Sequence, residues 1–427
     1  MSTEVKSYVP DQLLFSRSPK ILSYIKERRA NRVFPNGKTD AWAQSQVMDF
    51  EIRSDSLIDL PSTVLNFDLD FDISGGVSGA SRISNACDII QSIRVFYNDV
   101  QVEEILDANA FANLFLAYSA NKTYLESEGE TYLGLYNQFV QADSNGARSY
   151  SIPLTLVSGF FRSSQSLLPC MGNRIRVSIT LATDGKVVSF SPSVSESYKL
   201  NKVSLTYDET VVSEKFRKMV MDAMMSESGI RIPFTSLQNT TLNVGAVSTA
   251  YLRLQFNLSN VLSMHMLVDN ASAKSREANK YILACQSYPL TNFSKAFVRV
   301  GSQNLTPADG LKNYIELYQQ QNKTISNFND LLGTGVISYK DLVAGYTKAA
   351  TVAGGAYGLC PVSIDCSKIV SNDDGVVNQG ISSSGVNEFN IELYKSSGTF
   401  SADDVVLCGL VHKRSLVFSQ GGALVEF

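Results

Sequence analysis

Residues 65–73 read Leu-Asn-Phe-Asp-Leu-Asp-Phe-Asp-Ile, with apolar and polar positions in strict alternation. Successive side chains of a strand point to opposite faces. Leu65, Phe67, Leu69, Phe71 and Ile73 therefore share one face, and Asn66, Asp68, Asp70 and Asp72 share the other, which predicts a half-buried antiparallel strand. The same period sets in at Val47. It recurs at spacings suited to a sandwich: 89–96, turned by Tyr97-Asn98-Asp99 into 100–105, then 150–157, 175–181 and 203–207. Between these, residues 108–118 (ANAFANLFLAY) carry helical spacing and predict a helix inserted between strands.

Residues 211–228 contain no Gly or Pro before Gly229 and place Phe216, Met219, Val220 and Met224 at helical intervals, predicting a connecting helix. Alternation resumes at Ile230. Residues 252–258 (LRLQFNL) copy the style of 65–73, and 296–300, 360–364, 389–393, 405–411 and 416–418 complete a second set of strands. A helical stretch at 310–320 (GLKNYIELYQQ) falls in this half about where 108–118 falls in the first. The Gly- and Ser-rich stretches 74–81, 353–358 and 380–385 read as loops within the halves. The pattern thus predicts an N-terminal arm over 1–40, a first β-sandwich over 41–210, a connecting helix over 211–228 and a second sandwich over 229–427.

A chain of 427 residues suits two cores of about 200 residues each. At 44% hydrophobic and 18% charged, each half can bury a full core, and a formal net charge of -4 argues against general nucleic-acid binding. The charge is uneven. Residues 1–40 hold eight Lys or Arg against four acids, so this segment is +4 and the remainder -8. Within it, 11–30 breaks at Pro19 and then sets Ile21, Leu22 and Ile25 along one helical side, with Lys26, Arg28 and Arg29 beyond. This predicts a short amphipathic arm bearing Lys20, Lys26, Arg28, Arg29 and Arg32. Three readings of it stay open: a solvated tail, an inward-facing arm touching membrane headgroups or nucleic-acid phosphates, and an arm crossing to a neighbouring subunit.

The chemistry-bearing residues point away from catalysis. Only His265 and His412 are present, 147 positions apart, and no HExxH, metal-spaced Cys/His cluster, GxSxG or GxxxxGK[ST] occurs. A glycosidase-type carboxylate pair leaves no readable trace in sequence. His412, before Lys413 and Arg414, reads as an exposed histidine. Asp68, Asp70 and Asp72 read as a solvated strand face, since residues on one face lie ~7 Å apart, too wide for one Ca²⁺ without loop ligands. Trp42, the single tryptophan, suggests no role. The six cysteines (Cys87, Cys170, Cys285, Cys360, Cys366, Cys408) form no CxxC and mostly lie in apolar runs, which predicts buried thiols in a reducing compartment. No apolar stretch nears the ~20 residues of a membrane span, the N-terminus lacks a signal-peptide core, and the Asn-x-Ser/Thr triplets read as composition.

Three stretches carry a resemblance: residues 56–69 (SLIDLPSTVLNFDL), 168–181 (LPCMGNRIRVSITL) and 200–208 (LNKVSLTYD). In these, and in the run of strands across most of the chain, the sequence resembles the double jelly-roll major capsid proteins of icosahedral viruses, the lineage of adenovirus hexons, internal-membrane phages, virophages and polinton-like viruses. Residues 56–69 resemble that lineage's passage from a polar loop into the second strand of the first roll. The resemblance implies an all-β fold of two consecutive eight-stranded antiparallel jelly-roll sandwiches with short inserted helices and an N-terminal arm. It implies a homotrimer that contacts neighbouring trimers, penton and minor capsid proteins, with the arm turned toward an internal membrane or the genome. It further implies a place in the virion capsid, assembly in the host cytoplasm or nucleus, no cofactor and no active site. Two other readings are a vertex (penton) or spike protein and a carbohydrate-binding or carbohydrate-cleaving β-sandwich. The latter calls for a secretory signal, exposed Trp or an acidic groove.

Overall fold

The computed structural model of the chain describes residues 24–37, 40–74, 85–119, 122–134, 148–163, 167–187, 195–226, 229–270, 293–325, 361–367, 380–383, 388–400, 402, 404–419 and 422–426. The first half forms β1 (Ile25–Val33), β2 (Ala41–Ala43), β3 (Val47–Arg53), β4 (Leu57–Ser74), β5 (Ile90–Tyr97), β6 (Val100–Ile105), β7 (Arg148–Pro153), β8 (Leu167–Pro169), β9 (Arg174–Leu181) and β10 (Ser195–Val212). The second forms β11 (Ile230–Asn243), β12 (Thr249–Leu254), β13 (Val261–Asn270), β14 (Phe293–Val300), β15 (Gln303–Asn304), β16 (Val362–Asp365), β17 (Phe389–Lys395), β18 (Asp404–Ser419) and β19 (Gly422–Glu426). Three longer α-helices, α1 (Ala108–Ser119), α2 (Glu214–Met224) and α3 (Tyr314–Ile325), overlap the stretches that showed helical spacing, α3 starting four residues later than expected and running five further; shorter helical segments lie at Lys122–Tyr124, Leu125–Leu133 and Asp184–Val187.

Sheet order reveals the repeat. The first half pairs its strands as β1-β10-β4-β7 and β3-β9-β5-β6; the second as β11-β18-β13-β16 and β12-β17-β14-β15. With β2, β8 and β19 set aside as short additions, each half holds eight strands in one order. Strands one, eight, three and six make one sheet, and two, seven, four and five make the other. All the pairings are antiparallel. This is the two-sheet jelly roll, built twice. The helices also correspond, since α1 and α3 each fall between the fifth and sixth strands of their half.

The physical basis of each roll is the alternation itself. Leu65, Phe67 and Leu69 are buried while Asn66, Asp68 and Asp70 are only half-buried. Each such buried side chain contributes roughly 1.5–3 kcal/mol relative to exposure. The β5–β6 hairpin turns on Asn98 and Asp99, both with positive φ (45° and 68°), the backbone that two-residue hairpins require. The hydrophobic core is continuous across both rolls.

Several expectations need correction. Residues 25–33 are not a helical arm: they form β1, laddered against β10 from Ile25↔Val212 to Val33↔Leu205. Good helix formers such as Lys26, Glu27, Arg28 and Arg29 yield here to a tertiary hydrogen-bond ladder. Because β1 takes the first place, residues 56–69 open the third principal strand of the roll, not the second. In the second half β12 stops at Leu254, so 255–258 lie outside it, and its counterpart is β3; β4 is matched by β13. The polar stretch Lys413-Arg414-Ser415 does not split two strands but lies within β18, paired with Pro233–Thr235 of β11. The strand expected over 150–157 ends at Pro153 and passes into a 3-10 turn at Leu154–Leu156. Helix α2 is shorter than expected because 211–212 continue β10 and Ser213 caps the helix, its Oγ accepting from the Phe216 amide.

Candidate functional site

Two kinds of surface stand out: a polar seam with a cavity between the rolls, and exposed faces at their flanks. The seam begins with Glu103 of β6. Its side chain is fully buried and accepts hydrogen bonds from the Ser158 hydroxyl and, at 3.3 Å each, from the backbone amides of Gly159 and Phe160. Burial pushes the Glu103 carboxyl upward, opposed by those donors and by the positive charge of Arg414. Arg414 comes from β18 of the second roll. Its guanidinium donates across to the Val102 carbonyl of the first roll at 3.1 Å, tying the halves together, and within its own roll to Gln238 Oε1 at 3.1 Å.

Further along, the Asn239 side chain mimics a strand: its Oδ1 accepts from the Leu106 amide at 2.9 Å and its Nδ2 donates to the Leu106 carbonyl. Ser163 donates to the Pro233 carbonyl at 3.0 Å, and Thr241 to Asp107 at 3.2 Å. Gly159 sits so close to β11 that a Cβ there would lie 1.6 Å from the Thr235 carbonyl oxygen. Gly409 of β18 plays the matching part for α1, since a Cβ there would meet the Phe111 ring at 2.5 Å. Only glycine permits these approaches.

Beside the seam lies a cavity of about 530 Å³. Ile105, Phe111, Phe115, Phe234 and Leu237 supply much of its apolar wall, and Arg162 and Lys413 its cations. Buried His265 also lines it, with Nδ1 2.8 Å from Ser363 Oγ and Nε2 3.0 Å from Ser263 Oγ, while the Phe115 ring packs on it edge-on at 5.3 Å. Ser363 in turn donates to Gln321 of α3.

His412 is not exposed, as its basic neighbours suggested, but wholly buried. β18 is central, flanked by β11 and β13, so His412 has strand neighbours on both sides, Ser236 and Val261. Neither ring nitrogen makes a well-formed hydrogen bond with the described residues, although the Lys413 backbone lies beside the ring. Burial holds both histidines down to about 3, with Arg414 adding to the effect at His412. Trp42, assigned no role from sequence, is a buried core residue of β2. Cys87, Cys170, Cys366 and Cys408 are buried free thiols pushed upward by desolvation; Cys285 and Cys360 lie outside the described residues.

Of the basic arm residues, Lys20 lies outside the described residues. Arg28 is held 2.7 Å from both Asp59 of β4 and Asp208 of β10, and Arg29 pairs with Glu27. Lys26 and Arg32 are exposed on the same strand. Thus the structure spends Arg28 within the roll. Next to this strand, Tyr24 stacks against Phe216 of α2 at 5.5 Å, and α2 rests on Leu57, Met171 and Val212 while Met219 and Met225 stay exposed.

Asp68 accepts from Ser149 at 2.5 Å and pairs with Lys202 at 2.9 Å; the Ser149 hydroxyl, then Lys202, hold its carboxyl below the usual range. The Asp72 side chain lies outside the described residues, and among those described no three His, Cys, Asp or Glu converge as a metal site. On the β12-β17-β14 sheet, Tyr251 is 70% exposed, and Lys295 sits over the rings of Phe297 and Tyr394 at 5.0 and 4.5 Å. The equivalent β3-β9-β5 sheet of the first roll carries Arg176 over Phe96 at 4.2 Å and an Arg53–Glu51 pair. No helix among the described residues is long and apolar enough to cross a membrane.

No protein-family model and no curated protein matches the sequence. Solved structures do match in fold. The chain is similar to that of the PBCV-1 virus capsid, with a TM-score of 0.63 and 11% identity over 95% of this chain and 97% of that one. It is also similar to the Faustovirus major capsid protein (TM-score 0.56, 8% identity, 98% and 93% covered) and to the Sputnik virophage structure (TM-score 0.56, 11% identity, 100% and 92% covered). At such identities the shared property is the fold, two consecutive jelly rolls aligned along nearly the whole of each chain.

Proposed function

We propose that this chain is a major capsid protein, a structural subunit whose copies associate as trimers of pseudo-hexagonal outline and tile an icosahedral virus shell. One observation carries the reading: a single chain holds two jelly rolls of identical strand order, and this whole arrangement aligns with viral capsid proteins. Two rolls side by side present two similar walls. Three copies around a threefold axis then present six, so one chain fills hexagonal lattice positions without changing fold. A vertex protein, by contrast, needs one roll and leaves the second half free to differ; the matched topology weighs against that.

The role is one of shape rather than catalysis. Exposed Tyr251 and the rings of Phe297 and Tyr394 have the aromatic character of interface cores, with Lys295 suited to their polar rim, and we assign contacts between copies to such flank surfaces. The partners are then other copies of this chain, neighbouring trimers, and penton and minor capsid proteins; the location is the virion capsid. The segment before β1, with Lys20, together with exposed Lys26 and Arg32, is the part we assign to the inner surface, toward a membrane or the genome.

Size-exclusion chromatography with light scattering tests this directly. A stable particle of about three times the 46.8 kDa chain mass is expected. A monomer at micromolar concentration that instead binds glycans on an array overturns the reading and restores the carbohydrate-binding alternative.

A further inference from the structure

The cavity between the rolls shares Ser158, Gly159, Ser163 and Pro233 with the seam, and its composition is selective. Its volume of about 530 Å³ falls within the roughly 300–1,000 Å³ of small-molecule sites, which occur preferentially where domains meet. One side is aromatic and aliphatic, from β6, α1 and β11. Its charged groups are Arg162 and Lys413, and no Asp or Glu is found among its described lining residues. Behind the wall, Glu103 is the carboxylate acting on Arg162 and Arg414. That leaves three cations against one acid. Arg162 is further occupied, its Nε donating to the Thr155 carbonyl at 2.9 Å. The Lys413 side chain makes no hydrogen bond or ion pair with the described residues. A half-buried lysine that pairs with no described carboxylate, lining a largely apolar chamber, matches a ligand with one anionic end and a hydrocarbon body.

We infer that the inter-roll cavity binds a single-chain amphipathic carboxylate, a fatty acid, with its hydrocarbon among Ile105, Phe111, Phe115 and Phe234 and its carboxylate on Lys413. The ligand would touch α1 and β6 of the first roll and β11 and β18 of the second. Its occupancy would fasten the two rolls to each other. Binding only to the folded chain, it would raise the melting temperature in a concentration-dependent way. This inference is independent of the capsid reading, because it concerns contacts inside one chain.

The test uses the purified full chain with laurate below its micellar concentration, measured by calorimetry, and dodecanol as the uncharged control. One laurate per chain is expected at micromolar affinity. Lys413→Met should weaken laurate at least tenfold and leave dodecanol unchanged, while Lys413→Arg should retain laurate binding. Filling the chamber with Ala112→Phe should abolish both ligands. Because that variant can fail to fold, a diazirine-bearing fatty acid photolysed on the wild-type chain provides an independent readout, with crosslinks expected on peptides spanning 105–115, 156–163 or 233–237. Absence of saturable laurate binding overturns the inference. So do crosslinks confined to peptides elsewhere, equal loss of laurate and dodecanol in Lys413→Met, or unchanged laurate affinity in that variant.

Discussion

The close approach of Gly159 to β11 is directly testable. Gly159→Ala adds one methyl group whose position, 1.6 Å from the Thr235 carbonyl oxygen and 2.8 Å from its carbon, is blocked by backbone rather than by a movable side chain. Real Cβ atoms keep at least 3.0 Å from such neighbours, so the Leu154–Ser163 segment and β11 must part by about 1.4 Å. Overpacking of this kind costs about 1–3 kcal/mol. The same displacement stretches the 3.3 Å hydrogen bonds from the Gly159 and Phe160 amides to Glu103, and a hydrogen bond is worth about 0.5–1.5 kcal/mol net. The sum, after partial relaxation, is roughly 2–5 kcal/mol. For a roll of about 200 residues that corresponds to roughly 4–20 °C in melting temperature. Urea unfolding followed by calorimetry measures it, with a further signature: the seam couples the rolls, so the variant should separate into two transitions where the parent shows one. A midpoint change equivalent to less than about 0.5 kcal/mol, with a single transition kept, refutes the claim that this approach is fixed by backbone contact.

Two other outcomes follow from the same coordinates. His265 and His412 are held near 3 against an ordinary 6.5, so the unfolded chain binds more protons between these values; their stabilisation is full above pH 6.5 and is lost as pH falls toward 3, at up to about 1.4 kcal/mol per pH unit for each. His412→Leu should therefore make the decline in urea stability between pH 6 and pH 4 shallower, and an unaltered slope would show that His412 is solvated. Deleting residues 1–23 should leave the melting curve unchanged and, on the proposed role of the segment, impair particle assembly, whereas deleting 1–33 strips β1 from β10 together with the Arg28 pairs to Asp59 and Asp208 and should lower the melting temperature; equal melting of the two deletions would show that β1 contributes nothing to the roll.

Sequence alone determined the strands that are half-buried, because alternation is a property of one strand and needs no knowledge of its neighbours. The strands read at 65–73, 89–96 and 175–181 were legible for that reason, each within a residue of its observed start or inside the observed strand, and so were α1 and the existence of two comparable halves. Tertiary structure decided what depends on partners distant in the chain. β1 is an exposed edge strand with no apolar stripe to announce it, and only the ladder with β10 makes it a strand. β18 reads as two pieces locally, yet β11 on one side and β13 on the other satisfy its backbone straight through Lys413 and Arg414. The seam and cavity left no local signal at all. Nothing local marks Glu103 or Asn239 as buried or Gly159 as a point of close approach, and His412 reads as an exposed basic neighbour; Asn239 and Gly159 meet the other roll across 76 or more positions, and His412 is covered by β11 and β13 on either side of its own strand, so burial, not sequence context, sets their chemistry.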